Sequence, residues 1–481
     1  MSLSQLDCRL TSVVPSRRQL AHQQLEFYAF IHFTVNTFTD REWGDGTEEE
    51  QIFNPAKLDA RQWARAAVSA GMKGMLLTCK HHDGFCLWPS KYTTHTVANS
   101  PYKNGQGDIV REVSDACREY GLKFGIYLSP WDRNYPTYGF GEPYNDYFVN
   151  QLTELLTGYG EIFSVWFDGA CGEGSNGKKQ VYDWERYERV IRELQPNACI
   201  SVCGPDVRWC GNEAGDTRPS EWSVVPLRTK DTERIAENSQ HEDDAQFRER
   251  KISAMDLDLG SRCMMKNEGE AIWYPAEVNT SIRPGWFYHE SEDDKVRSLE
   301  ELKRIYYGSV GGNGMFLLNI PPDRNGLIHP NDQKRLKELG DWIRQSFAVN
   351  LMDQAELSAD RWLDGSDVEQ VREDSYASCF RTEDGDITCT IDIRWSKMQK
   401  IGHLVLKEDI CQSQRIERFL VEAEVDGKNV MAYYGSVVGY KKIIPLNHLE
   451  TDHLRIRILD SRVAPTLSFI GVYEDQKAGN T

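Results

Sequence analysis

The sequence predicts a (β/α)8-like barrel followed by a C-terminal antiparallel β-sandwich. Two observations carry the barrel and a third carries the sandwich. From about residue 25 to 345, short apolar runs alternate with segments of helical period, the pattern of repeated βα units. No Gly-rich nucleotide loop follows the first apolar run, which argues against an open doubly wound sheet. After Asn350 the hydrophobic period changes to two, as in strands with one buried face. The change of rhythm divides the chain into a barrel over residues 1–347 and a sandwich over residues 348–481.

The first strand is the aromatic run Phe27 to Phe33. Asp59 then caps a helix with Trp63, Ala66, Ala67 and Ala70 on one face, and Gly71 ends it. Gly74 to Thr78 is the second strand. Asp108 opens a helix with Ile109, Val110, Val113, Ala116 and Cys117 at helical spacing, stopped by Gly121. Lys123 to Leu128, Ile162 to Phe167 and Ala198 to Val202 are strands three to five, and Met315 to Asn319 follows a helix over 299–310. Between Cys203 and about Trp273 the chain is long and polar, so a clean eightfold count is not visible there. In the sandwich, Ile387, Cys389, Ile391, Ile393 and Trp395 alternate with polar residues. Phe419, Val421, Ala423 and Val425 do the same and lead into Asp426-Gly427, a two-residue hairpin turn. Leu454, Ile456 and Ile458 repeat the pattern. Packing against the barrel is the expected role of this domain, ahead of sugar binding.

A chain of 481 residues can bury two cores. Its 74 acidic and 56 basic residues leave a net charge of −18, and no basic cluster stands out, which excludes nucleic acid and anionic membranes as partners. No run of about 18 apolar residues is present, so no membrane span is expected. Thirteen Trp and 21 Tyr suit a neutral ligand with flat faces and hydroxyls. The 12 Cys fall at irregular spacings without a CxxC pair, as buried free thiols in a reducing compartment do. The polar start Met1-Ser2-Leu3-Ser4 lacks an apolar export segment. A cytoplasmic location is therefore expected, or a periplasmic or extracellular one if an export signal was removed. The oligomeric state, a homo-oligomer included, is left open.

Loops after the strands build the site of such a barrel, at its C-terminal mouth. There the chain supplies His32 with Glu42-Trp43 beyond it, His81-His82-Asp83, Tyr127 with Trp131, Trp166 with Asp168, and Glu213. Trp166 and Asp168 leave their strand on one face, an aromatic wall beside a carboxylate. A helix-capping role is the rival reading of Asp168, but five independent caps would not produce this set. His81 and His82 suit vicinal hydroxyls better than a metal, because no third ligand is evident, and Cys203 and Cys210 lack partners at zinc spacing. Neither metal nor cofactor is expected.

His32, Glu42-Trp43, Lys80-His81-His82-Asp83-Gly84-Phe85 and Trp166-Phe167-Asp168-Gly169 together resemble glycoside hydrolase family 29, the α-L-fucosidases, over roughly residues 20 to 345. Gly211-Asn212-Glu213-Ala214-Gly215 and Ser220-Glu221-Trp222-Ser223-Val224-Val225-Pro226 resemble the branch acting on α-1,3/1,4-linked fucose in Lewis-type glycans. The resemblance implies an exo-acting retaining enzyme whose partner is a fucosylated oligosaccharide or glycoconjugate. It makes Asp168 the nucleophile and Glu213 the general acid/base, two carboxyls roughly 5–5.5 Å apart in a retaining glycosidase. Glu221 is the local rival of Glu213, and pairing with Arg208 or Arg218 is the structural alternative for Glu213 itself. The resemblance also sets His32, Glu42, Trp43, His81, His82, Tyr127 and Trp166 around the sugar. Trp286 and Phe287 are candidates for the wall against the fucose methyl, and Trp131 and Asp132 for the leaving-group side. The alternatives are a broad fucosidase that also takes aryl or α-1,2-fucosides, and a non-catalytic fucose-binding protein.

Overall fold

The structure, a computed structural model, describes residues 4–239, 252 and 257–475. Eight strands form one parallel sheet: β1 (Phe27–Ile31), β2 (Gly74–Lys80), β3 (Lys123–Leu128), β4 (Ser164–Phe167), β5 (Cys199–Val202), β6 (Arg208–Trp209), β7 (Ala276–Ser281) and β8 (Met315–Asn319). Their order is β5-β4-β3-β2-β1-β8-β7-β6. The two ends meet through a parallel bridge between Ser201 and Val207, next to β6, so the sheet curls into a nearly closed barrel.

Helices outside the barrel follow their caps. Asp59 accepts from the backbone N–H of Arg61 at the start of Ala60–Ser69, and Asp108 from that of Arg111 at the start of Ile109–Glu119. Trp63, Ala64 and Ala67 are fully buried against the sheet. The strict βα alternation fails once: β6 follows β5 after a five-residue connection with no helix between them. From there to β7 the chain carries a ribbon of Val224–Pro226 paired antiparallel with Ala271–Trp273.

Alternation along the strands sets the barrel interior in layers. On β1, Tyr28 and Phe30 point inward below His32. On β7, Glu277, Asn279 and Ser281 share the inward face. Lowest, Glu277 accepts from the Tyr28 hydroxyl and, at 2.8 Å, from the Trp166 indole N–H. Burial pushes the Glu277 carboxyl up to about 7, against the two donors that pull it down. Above it Phe30 packs on Trp166, and Trp166 stacks on Tyr127 with centroids 5.3 Å apart. At the top Asn319 binds Ser281 and His32.

After the closing helix Pro330–Ser346 the chain forms an antiparallel sheet around two long strands, Cys389–Lys407 and Lys442–Ser461. Their pairing shifts between Arg394 and Gln399 and again between Ile401 and His403, bulges that bend both strands. One half of Cys389–Lys407 pairs with Glu356–Ala359 and the other with Phe469–Glu474, so the bent strands fold over one core of Ile391, Ile393, Leu404, Ile444, Ile456 and Val472. Asp426 and Gly427, with φ of 51° and 70°, make the two-residue hairpin turn. The sheet is tied to the barrel by polar contacts: Tyr440 and Lys441 both reach Glu26, at 2.7 and 2.5 Å.

Candidate active site

A pocket of about 690 Å3 opens at the C-terminal mouth of the barrel. His32, Glu42, Trp43, His81, His82, Trp166, Asp168, Glu213 and Trp286 line it. Strand β4 and the segments that follow β1, β2, β4, β6 and β7 thus bring nine of the expected residues together.

Asp168 stands just beyond β4 with its side chain 22 % exposed. Its Oδ2 accepts from the Tyr127 hydroxyl at 2.9 Å, and its Oδ1 accepts from the backbone N–H of Ala170 at 2.8 Å. Burial raises its pKa above the ordinary value, and the N–H groups of Ala170 and Gly169 and the Tyr127 hydroxyl oppose that rise. Glu213 approaches from the loop after β6. Its Oε2 accepts from the Trp286 indole at 2.7 Å, and its backbone carbonyl is held by the Thr280 hydroxyl at 2.6 Å.

The three histidines are neutral, since burial lowers His32 to about 4 and His82 to about 3 and holds His81 well below its ordinary value. Their neighbours fix the tautomers. Asn319 gives its N–H groups to Ser281 and the Trp286 carbonyl, so its oxygen takes a proton from His32 Nδ1. Ser129 gives its proton to the Trp131 carbonyl, so His82 Nδ1 donates to it at 2.8 Å. Asn36 donates to the Glu42 carbonyl and towards His81 Nδ1, which leaves His81 Nε2 protonated. The ring edges therefore offer acceptors at His32 and His82 Nε2 and a donor at His81 Nε2, a set matched to a row of hydroxyls.

Four residues expected at the site, Tyr127, Trp131, Asp132 and Phe287, are not among those that line the pocket. Asp132 is no part of the leaving-group side: it is buried in an ion pair with Lys80, 2.8 Å apart, beneath the loop after β2. An unpaired ammonium inside the barrel wall would be untenable, so Lys80 claims the carboxylate. Trp131 stands behind Trp43 and His82, its indole N–H on the Glu173 carbonyl. Phe287 is fully buried, edge-on to His32 and His81.

The rivalry between the two glutamates has a geometric answer. Glu221, not Glu213, takes both Arg208 and Arg218, at 2.5 and 3.1 Å, with all three side chains about 5–6 % exposed. Burial alone would raise the Glu221 carboxyl, but the two guanidiniums hold it below its ordinary value. The triad supports the loop that carries Glu213, because Arg218 also donates to the Cys210 carbonyl. Glu221→Ala is expected to lower stability by about 3–5 kcal/mol, since it removes the buried carboxylate shared by Arg208 and Arg218. Urea unfolding at pH 7 measures it. A lowered folded pKa makes the stabilisation complete above the unfolded value and lost as pH falls through the folded one, so the wild-type advantage shrinks in acid.

Sequence reading missed Trp209 and Asn279, which also line the pocket. Asn279 is 2 % exposed, and its side-chain oxygen has no hydrogen-bond partner among the described residues. Neither lies on a run with a clear hydrophobic period, so no signal marked them.

Carboxylates among aromatic and histidine side chains at this end of a barrel are the equipment of glycoside hydrolases, and the molecule falls in that class. The sequence model of the family described as Alpha-L-fucosidase matches residues 17–346, and the chain belongs to that family, a group of glycoside hydrolases. The Alpha-L-fucosidase 1 of Arabidopsis thaliana is 37 % identical over 478 residues, which span 97 % of this chain and 89 % of the plant protein. A solved glycoside hydrolase 29 family member from an unknown rumen bacterium is 39 % identical, with a TM-score of 0.79 over 97 % of this chain and 78 % of its own. The Ruminococcus gnavus GH29 fucosidase, solved in complex with fucose, is 28 % identical with a TM-score of 0.82, covering 99 % and 97 %. The chain is an α-L-fucosidase by family, and a fucosylated compound is its substrate class. Among the described residues no helix is long and apolar enough to cross a membrane.

Proposed function

We propose that the enzyme is a retaining exo-α-L-fucosidase that releases α-1,3/1,4-linked L-fucose from branched, Lewis-type oligosaccharides or glycoconjugates. Asp168 attacks the anomeric carbon and Glu213 protonates the leaving oxygen; the glutamate then activates the water that frees the sugar. The observation that carries this reading is the unlike treatment of two carboxyls in one pocket. Asp168 receives donors on both oxygens, which favours the anion a nucleophile needs. Glu213 accepts the Trp286 indole N–H on Oε2, a neutral donor that orients the carboxyl within the pocket.

The neutral histidines supply the hydroxyl contacts, with Trp166, Trp43 and Trp286 as apolar walls. Asn279 joins them, its carboxamide directed to a sugar hydroxyl. Asn279→Ala is expected to raise KM about tenfold, the value of one or two hydrogen bonds, with little change in thermal stability because the amide oxygen has no partner to lose among the described residues. Steady-state kinetics and a melting curve check both halves.

The linkage preference is supported by the likeness of Gly211–Gly215 and Ser220–Pro226 to the α-1,3/1,4 branch. Ser220–Pro226 bears on the reaction indirectly: Trp222 stacks under Arg462 and Ser223 N–H donates to Gln414, so the segment braces the Glu213 loop against the C-terminal domain. The test is turnover of a Lewis-type trisaccharide against an aryl fucoside and an α-1,2-fucosyl disaccharide. Preference for the branched substrate is expected. Equal rates on all three would replace this reading by a broad-specificity fucosidase.

A further inference from the structure

The segment Arg283–His289 carries Trp286 over the pocket, and its fastening is unusual. Three successive backbone N–H groups end on carboxylates: Gly285 on Glu292 at 2.9 Å, and Trp286 and Phe287 on the two oxygens of Glu42 at 2.8 and 3.1 Å. His289 closes the loop on itself. Its Nε2 lies 2.7 Å from the same Glu42 carboxylate and its Nδ1 lies 2.8 Å from Asp40. Asp40 and Glu42 both come from the loop after β1, so one imidazole joins two carboxylates of one loop to the segment that bears Trp286.

We propose that His289 is a positioning residue, the cationic rivet of an Asp40–His289–Glu42 bridge that holds Trp286 against Glu213. This rests on the reading of Glu213 as the general acid/base. A histidine between two carboxylates donates from both nitrogens only as the imidazolium. The charges facing it agree: Asp40, Glu42 and Glu292 surround it, while Arg283 donates to its backbone carbonyl and Arg324 lies 3.9 Å from Asp40. The hydrogen bond that His289 donates to Glu42 raises its pKa to about 9, with burial opposing and Asp40 adding to the rise. With the cation in place, Glu42 can keep its charge while its oxygens bind backbone. Trp286 is then fixed, its indole N–H stays on Glu213 Oε2, and the carboxyl that delivers the proton is held in place. Without the rivet the Trp286 contact loosens and proton delivery suffers, while attack by Asp168 does not.

The test separates proton delivery from attack. A dinitrophenyl fucoside departs without acid help, whereas a fucosyl disaccharide needs it. His289→Gln is expected to lower kcat/KM on the disaccharide about twentyfold and on the dinitrophenyl fucoside less than about twofold, within the range of general acid catalysis. In a Trp286→Phe background the same substitution is expected to cost almost nothing further, because both changes break one linkage. Should His289→Gln fold poorly, Asp40→Asn, at a site 57 % exposed, is expected to give a weaker loss with the same substrate dependence. Equal losses on the two substrates, or full additivity with Trp286→Phe, would overturn the proposal. Glu213→Ala on the same substrates judges the underlying reading by itself: equal losses there would remove the acid assignment, and the Trp286 cycle would still decide whether His289 acts through that tryptophan.

Discussion

Replacing Asp168 by alanine is expected to cut kcat by at least about 10,000-fold, roughly 5.4 kcal/mol of lost transition-state stabilisation. The side chain stands at the mouth end of β4 with a donor on each oxygen, whereas the two oxygens of Glu42 in the same pocket are taken up by the backbone N–H groups of Trp286 and Phe287. Azide added to Asp168→Ala is expected to restore turnover and to yield the β-fucosyl azide, since a small anion takes the space of the missing carboxylate and attacks from the same side. The wild-type enzyme should release α-L-fucose first, by two inversions. Release of the β-anomer, read by proton NMR in the first minutes, would disprove the retaining mechanism. The pH profile carries a second signature. Because burial raises Asp168 above its ordinary value, the acid limb of kcat/KM is expected above the usual aspartate range. Tyr127→Phe removes a donor to the anion, so the limb should move further up and activity at acidic pH should fall.

Glu213→Gln is expected to lower kcat/KM on a fucosyl disaccharide about 100- to 10,000-fold, the range of general acid/base catalysis. On a dinitrophenyl fucoside the first step needs no proton, so the loss should appear in release of the sugar from the enzyme and be relieved by added azide. The alkaline limb of the wild-type profile should vanish in the variant. Stability should change little, because Glu213 is not part of the Arg208–Glu221–Arg218 triad. If Glu221→Gln rather than Glu213→Gln produced this pattern, the roles assigned to the two residues would be reversed. The buried pairing of Glu221 speaks against that outcome.

Much of this molecule was legible from its residues alone. Strands with continuous apolar runs, such as Phe27–Ile31 and Met315–Asn319, declared themselves because both faces are buried. Helices behind Asp59 and Asp108 were legible from cap and period, and the Asp426-Gly427 turn from its need for positive φ at two positions. The missing count lay where the physics gives no period. Strand β6 is two residues long, and β7 alternates Glu277, Asn279 and Ser281 inward because the barrel interior there is a polar ladder. A strand whose buried face is polar does not look like a strand.

For the site the division is similar. Residue type and order determined which side chains gather at the mouth, since alternation and the direction of parallel strands leave no other place for His32, His81, His82, Trp166 and Asp168. Only the tertiary structure decided which partner each one takes. It paired Lys80 with Asp132, gave both arginines to Glu221, and tied Glu42 to the backbone that carries Trp286. Those choices depend on which charges are buried together, and burial belongs to the assembled chain, where residues far apart in sequence must neutralise each other once water is gone.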